Sequence, residues 1–541
     1  MRIGVVAAPL LLTACGGDGG GDVGGDDGPP ITPPGETCGA PVELVDTSSP
    51  GQVVGDGTPE SCTQAALATA LAEGGIITFA CGSDRATIDI SSTLNLRTDV
   101  DTVIDGRDLV ILDGGGDTRI LSFDHPNYRT NNVTLTLQRI ELANGRARGT
   151  MMYAPAPAPC SQGYYDGAGG ALYMRDGKLV VINSIFYRNR AEQIGPDVGG
   201  GAIALGGSLS AIIWGSAFNE NSGANSGAIY ALNSQLDVYD SNFQGNEATG
   251  NGANSDDASQ CSVVATGTGQ NQVGSGGNGG AIGIDGGDDT THTFCGVSFI
   301  ANKSGEGALG GALARTADRD KQTTVIDRCT FDGNTGDSAA GVYFHNSRLE
   351  ITATTFANNT ATKGSGAIQA DGTDFDFINN TFTNNTAMAG LGGAINLFGG
   401  GGTIAFSTFL ANHADGGDPY FGAAIGGNPT LTLVSNVFAN NTARNPGAPM
   451  QCHVTGTGDG NLQWPMVHDV GGAPDAKCTP TTTFADTLLG TLGDHGGASP
   501  TIAPAAGSPA IGAGVDCPPT DQRGMPRPAT GCTAGSVEGS I

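Results

Sequence analysis

Residues 366–385 read Gly366-Ala367-Ile368-Gln369-Ala370-Asp371-Gly372-Thr373-Asp374-Phe375-Asp376-Phe377-Ile378-Asn379-Asn380-Thr381-Phe382-Thr383-Asn384-Asn385. A small-residue step enters an apolar residue, an alternating stretch follows, and a Phe arrives with an Asn three residues behind it. The next copy runs from Gly393-Ala394-Ile395 to Phe409 and Asn412, and the phrase recurs outward in both directions. It opens again at Gly170-Ala171-Leu172, Gly201-Ala202-Ile203, Gly227-Ala228-Ile229, Gly280-Ala281-Ile282 and Gly311-Ala312-Leu313. Looser openings stand at Ala340-Gly341-Val342 and Ala423-Ala424-Ile425. It closes with Phe186 and Asn189, Phe218 and Asn221, Phe243 and Asn246, Phe299 and Asn302, Phe331 and Asn334, Phe356 and Asn359, and Phe438 and Asn441. Self-similarity at a period of about 25–30 residues marks a solenoid, in which each unit buries its apolar face by stacking on its neighbours.

The residue types choose the solenoid. Gln235-Leu236-Asp237-Val238-Tyr239 and Thr430-Leu431-Thr432-Leu433-Val434 alternate as strands do. Gly and Asn are poor helix formers, and the repeats contain no amphipathic stripe of helix length. Short strands broken by Gly, Asn and Asp turns, with rungs about 4.8 Å apart, predict an all-β fold: a right-handed parallel β-helix. Stacking then places Phe over Phe inside and Asn over Asn at a turn, where the amide can satisfy backbone groups of adjacent rungs. The Gly-Gly-Ala step fits a tight turn with no room for a side chain. These landmarks predict architecture and, by themselves, no chemistry.

The alternating Gly-Gly-Ala-Ile/Leu and Phe-x-x-Asn phrases resemble the repeats of the polymorphic outer membrane proteins, which implies a surface-exposed β-helix of the adhesin kind. Ile104-Asp105-Gly106 and Leu112-Asp113-Gly114 resemble rung turns of pectin-lyase-like β-helices, with Asp105 and Asp113 read as turn residues. The chain closes on Ser508-Pro509-Ala510-Ile511, then Asp521-Gln522-Arg523-Gly524-Met525-Pro526-Arg527-Pro528, then Gly535-Ser536-Val537-Glu538. With the repeats, these phrases resemble the choice-of-anchor Q family of bacterial surface proteins, whose anchor varies between members. Arg523 and Arg527 are expected to pair with Asp521 or Glu538. The last hundred residues lack the serial ten-residue alternation of a membrane β-barrel.

At the other end, Leu12-Thr13-Ala14-Cys15 follows an apolar run and resembles a bacterial lipobox. The resemblance implies a signal peptide over 1–15, cleavage before Cys15 and lipidation of Cys15. Gly16 rather than Asp follows it, which implies the outer membrane or cell surface. Residues 16–37 are Gly, Asp and Pro, the composition of a disordered tether. Residues 38–75 are expected to form an N-terminal cap, with Ser61 as N-cap and Gln64 as its capping-box partner. The β-helix is expected over 76–450, interrupted by insertions at 144–168 and 249–278, and a C-terminal cap or tail over 451–541. Solenoid insertions loop out on one face and often line a binding groove.

The chain carries 53 acidic against 24 basic residues, a net charge of −29, which argues against nucleic acid and against docking on anionic lipid. Its 12 cysteines show no Cys-x-x-Cys spacing, so disulfides in an oxidising compartment are expected rather than zinc. Closeness in sequence suggests Cys62 with Cys81, Cys452 with Cys478, and Cys517 with Cys532; Cys160 with Cys261 and Cys295 with Cys329 are further candidates. With Cys15 lipidated, Cys38 is the candidate odd cysteine.

The insertions hold Tyr153, Tyr164 and Tyr165, candidate ligand-binding residues whose rings could stack on sugars. Acid clusters stand at Asp285/Asp288/Asp289 and Asp318/Asp320, the latter beside Arg315, Arg319 and Lys321, a group read as a solvated loop. The seven His are scattered, and no catalytic constellation, phosphate loop or metal set is evident. No cofactor is expected; Ca²⁺ held by carboxylates is the alternative. The sequence therefore points to a monomeric, lipid-anchored envelope protein that binds a polysaccharide or host-surface ligand. A polysaccharide lyase or glycoside hydrolase is the alternative, and a structural rod a second. Carboxylates and a basic residue gathered under the insertions would favour the enzyme, and exposed aromatics without acids would favour binding.

Overall fold

The computed structural model describes residues 37–540 apart from 151–165, 194, 196–197, 251–275, 287–290, 317–321, 417–421, 446 and 469–471. Within these, the chain winds as a parallel β-helix with three strands per rung. Sheet I has 13 strands from Gln52–Val54 to Thr430–Val434, sheet II has 14 from Ala86–Asp89 to Thr483–Phe484, and sheet III has 11 from Leu94–Asn95 to Ile425–Gly427. One rung shows the path: Leu172–Arg175 in sheet III, Lys178–Ile182 in sheet I, Ile185–Tyr187 in sheet II. A short fourth ladder, Thr335–Gly336 to Thr442–Ala443, follows sheet II.

Register explains the repeated phrase. Phe186 pairs with Phe218 and Phe218 with Phe243, and the series continues to Phe438 with parallel-stacked rings 4.6–5.3 Å apart. Each Asn three residues on points inward and bridges rungs. The Asn302 backbone N–H donates to Asn334 Oδ1 at 2.9 Å, and its Nδ2 donates to Asn334 Oδ1 at 3.0 Å and to the Phe243 carbonyl at 2.9 Å. At the opening of the phrase, a Cβ on Gly280 would lie 2.0 Å from the Gly311 carbonyl oxygen on the next rung, so only glycine fits.

A second inward ladder, unread in the sequence, turns the corner between sheets I and II, two residues before most of the Phe series. Ser184 N–H donates to Ser216 Oγ, Cys329 N–H to Thr354 Oγ1, and Thr354 N–H to Asn380 Oδ1, all at 2.9–3.1 Å. Cys329 fills one place in it, with its sulfur accepting from Val297 N–H at 3.4 Å. It is buried and free, and burial pushes its thiol up to about 12.

The disulfides follow from this packing. Cys62 joins Cys81, Cys452 joins Cys478, and Cys517 joins Cys532. Two expectations are corrected: Cys38 is not the odd cysteine, and Cys295 does not pair with Cys329. Cys38 joins Cys295 across 257 residues. Segment 37–48 runs up the outside of sheet I as a strap: Thr47 donates to Asp105 at 2.6 Å, Val45 N–H to Gln138 at 3.0 Å and Cys38 N–H to Asp240 at 3.0 Å. Asp105 is buried beneath it; burial raises its carboxyl, but hydrogen bonds from Arg139, Thr47, Arg107 and Gln138 prevail and hold it below the usual carboxylate range. Cys15, Cys160, Cys261 and residues 1–15, read from the sequence as a signal peptide, lie outside the described residues.

Helix α1 (Gln64–Glu73) buries Leu67, Ala70 and Leu71 into the core at the first rungs. Its N-cap is Thr63, accepting from Ala66 N–H at 3.2 Å, not Ser61. Ser61 is used by the preceding 3₁₀ turn, where its hydroxyl donates to the Thr58 carbonyl at 2.6 Å. At the far end the tail returns along the outside of sheet II. Ser499 donates to the Ala353 carbonyl at 2.9 Å, Thr381 to Gln522 at 2.6 Å, and Ser536 N–H to Thr408 at 3.0 Å. Arg523 pairs with Asp521 at 2.7 Å and Arg527 with Glu538 at 3.0 Å.

Candidate functional site

The residue after each ladder Asn faces outward, and these residues form one column along the rod. Parallel bridges run from Arg146 to Arg190 to Ser222, then to Glu247, Lys303 and Thr335. The column continues as Thr360, Thr386, His413 and Thr442. Its basic end borders a surface groove of about 390 Å³ lined by Arg146, Arg190, Gln193, Glu220, Glu247 and Thr249. Ser222 and Gly245, both small, also line it.

Arg146 and Thr249 stand within the starts of the two insertions, so the groove lies where both leave the solenoid. The sequence missed Arg146 and Arg190 because the column was not recognised. The signal was present, since Asn189-Arg190 departs from the Asn-Thr that four of the eight later copies carry.

The charges in the groove are unequally engaged. Glu220 is held by Arg188 at 2.8 Å and Glu247 by Lys303 at 2.7 Å. Neighbouring arginines are also occupied: Arg148 by Asp117, and Arg85 by Glu141. Arg146 and Arg190, register partners about 4.8 Å apart along the rod, have no carboxylate partner among the described residues. Two like charges side by side repel, and in a chain of net charge −29 acids to neutralise them are plentiful. Their fork-shaped donors are suited to carboxylate or sulfate oxygens.

The other candidates part company. Tyr153, Tyr164, Tyr165, Asp288, Asp289, Asp318, Asp320, Arg319 and Lys321 lie outside the described residues. Asp285 faces outward on sheet III, where it accepts from Tyr230 at 3.4 Å and Thr316 at 3.2 Å. A similar pair joins Tyr343 to Asp371 at 3.0 Å, and burial raises the Asp371 carboxyl against hydrogen bonds from Tyr343 and Gln369. Tyr230 and Tyr343 are buried and offer no open ring face. Arg315, read as part of a solvated loop, is instead fully enclosed, because it falls in the inward column between Ile284 and Phe344. The histidines stay dispersed, and no cluster of three His, Cys, Asp or Glu suited to a metal occurs among the described residues.

With this geometry the chain is of the parallel β-helix class, and the comparison with protein families agrees. The family described as right-handed beta helix region matches residues 316–461, the rungs that follow the groove. No curated protein matches the chain.

Proposed function

We propose that the chain is a bacterial surface β-helix that binds an acidic polysaccharide, one bearing uronate carboxylates or sulfates, in the groove at Arg146 and Arg190. The observation that carries this reading is the adjacent arginine pair, without a carboxylate partner among the described residues, in an otherwise strongly acidic molecule. The lipobox resemblance at Cys15 and the choice-of-anchor Q resemblance support display at the cell envelope, with the solenoid as the presenting scaffold. Charge-assisted hydrogen bonds from a guanidinium contribute roughly 1.5–3 kcal/mol each.

The test is calorimetric titration of the purified protein with polygalacturonate, alginate, heparin and a neutral glucan. At least one acidic polymer is expected to bind, with affinity falling as salt rises, and the neutral glucan is not. Arg146→Ala/Arg190→Ala is expected to lower that affinity about tenfold or more. Binding of the neutral glucan alone, or unchanged binding by the double variant, overturns the reading.

A lyase or hydrolase is the second reading, because Glu220 and Glu247 share the groove with two arginines. Both carboxylates are held in ion pairs, which favours recognition over proton transfer. Release of unsaturated uronate or new reducing ends, abolished by Glu220→Gln or Glu247→Gln, would reverse that preference.

A further inference from the structure

We propose that the solenoid interior holds a small inorganic anion, chloride or one of similar size and charge, against the guanidinium of Arg315. Arg315 occupies a core position that its register neighbours fill with Ile284 and Phe344, and it is 0 % exposed. Its Nη1 donates to Thr324 Oγ1 at 2.7 Å. Its Nε and Nη2 are buried without a hydrogen-bond partner, and no carboxylate among the described residues pairs with it.

The nearest titratable side chain on the facing strands brings no negative charge. His292, register partner of Thr324, is buried, and burial with the nearby Arg315 pushes it down to about 3, so it is neutral. Arg315 itself remains a cation, since burial brings it down only to about 10. An uncompensated charge in an apolar interior is strongly destabilising, and Nε–H with one Nη2–H form a fork that a monatomic anion can accept.

The test is the thermal midpoint of the full chain at neutral pH and constant ionic strength while chloride is exchanged for gluconate. The midpoint is expected to fall by about 3 °C without chloride and to recover with bromide. Arg315→Met is expected to abolish that response. A bromide-soaked crystal of the wild-type protein should also show anomalous signal beside Arg315, which keeps the test intact if Arg315→Met does not fold. An unchanged midpoint, or no bromide peak at Arg315, overturns the proposal and leaves neutralisation to a carboxylate of the chain.

Discussion

His292 is 2 % exposed, with its Nδ1 3.3 Å from the Leu236 backbone N–H. Above pH 6.5 its imidazole is neutral in both the folded and the unfolded chain. Between 6.5 and about 3 the unfolded chain takes up a proton that the folded one refuses. The contribution is therefore fully present above 6.5 and is lost as pH falls, at up to about 1.4 kcal/mol per pH unit. His292→Leu is expected to flatten the decline in unfolding midpoint between pH 6.5 and about 4.5, above the ordinary carboxylate range. Single residues were where the sequence misled. Arg315 reads as one basic residue among loop charges, and only the register of its strand turns it inward. Cys295 and Cys329 look like partners by spacing, yet Cys295 is bonded to Cys38 of the strap while Cys329 turns inward into the corner ladder.

At the scale of the element, the Asn ladder is as much a structural member as the strands. Asn302→Leu would remove the acceptor of the Asn246 N–H and one donor to the Phe243 carbonyl, leaving the buried Asn246 N–H unpaired. The expected cost is about 1–3 kcal/mol, read as a lower thermal midpoint and faster hydrogen exchange at the Asn246 amide. Cys329→Ser should be far milder, because Ser184, Ser216 and Ser407 already fill that corner with a hydroxyl. The fold was legible at this scale because a stacked solenoid repeats its constraints: a tight glycine step, a stacked ring and a bridging amide return at fixed offsets. The corner ladder was legible too, as Ser, Thr, Asn or Cys two residues before most of the Phe series. It went unread because those residue types are common in turns. The helix cap moved by two residues because Ser61 was claimed first by a 3₁₀ turn.

For the whole molecule, the faces of the rod are not equivalent. The N-terminal strap covers part of sheet I and the returning tail part of sheet II, while the arginine groove opens beyond the edge of sheet II. None of this is local in sequence: Cys38 meets Cys295 and Gln522 meets Thr355, so periodicity alone contains no hint of either strap. The groove was half legible, since the insertions marked its place while its two arginines went unnoticed. Cys38→Ser is expected to leave the β-helix folded and to expose residues 37–48 to limited proteolysis, because the remaining strap is held by few hydrogen bonds. Equal protease resistance of the variant would show that Asp240 and Asp105 suffice to hold it.

The Cys38–Cys295 bond also fixes where tension enters. Cys295 lies on the eighth of the thirteen strands of sheet I. A pull on the chain upstream of Cys38 is passed covalently into the middle of the stack, bypassing α1 and the first rungs. Those early rungs are spared peeling one hydrogen-bonded layer at a time, and the load is shared as shear among rungs on both sides of the attachment.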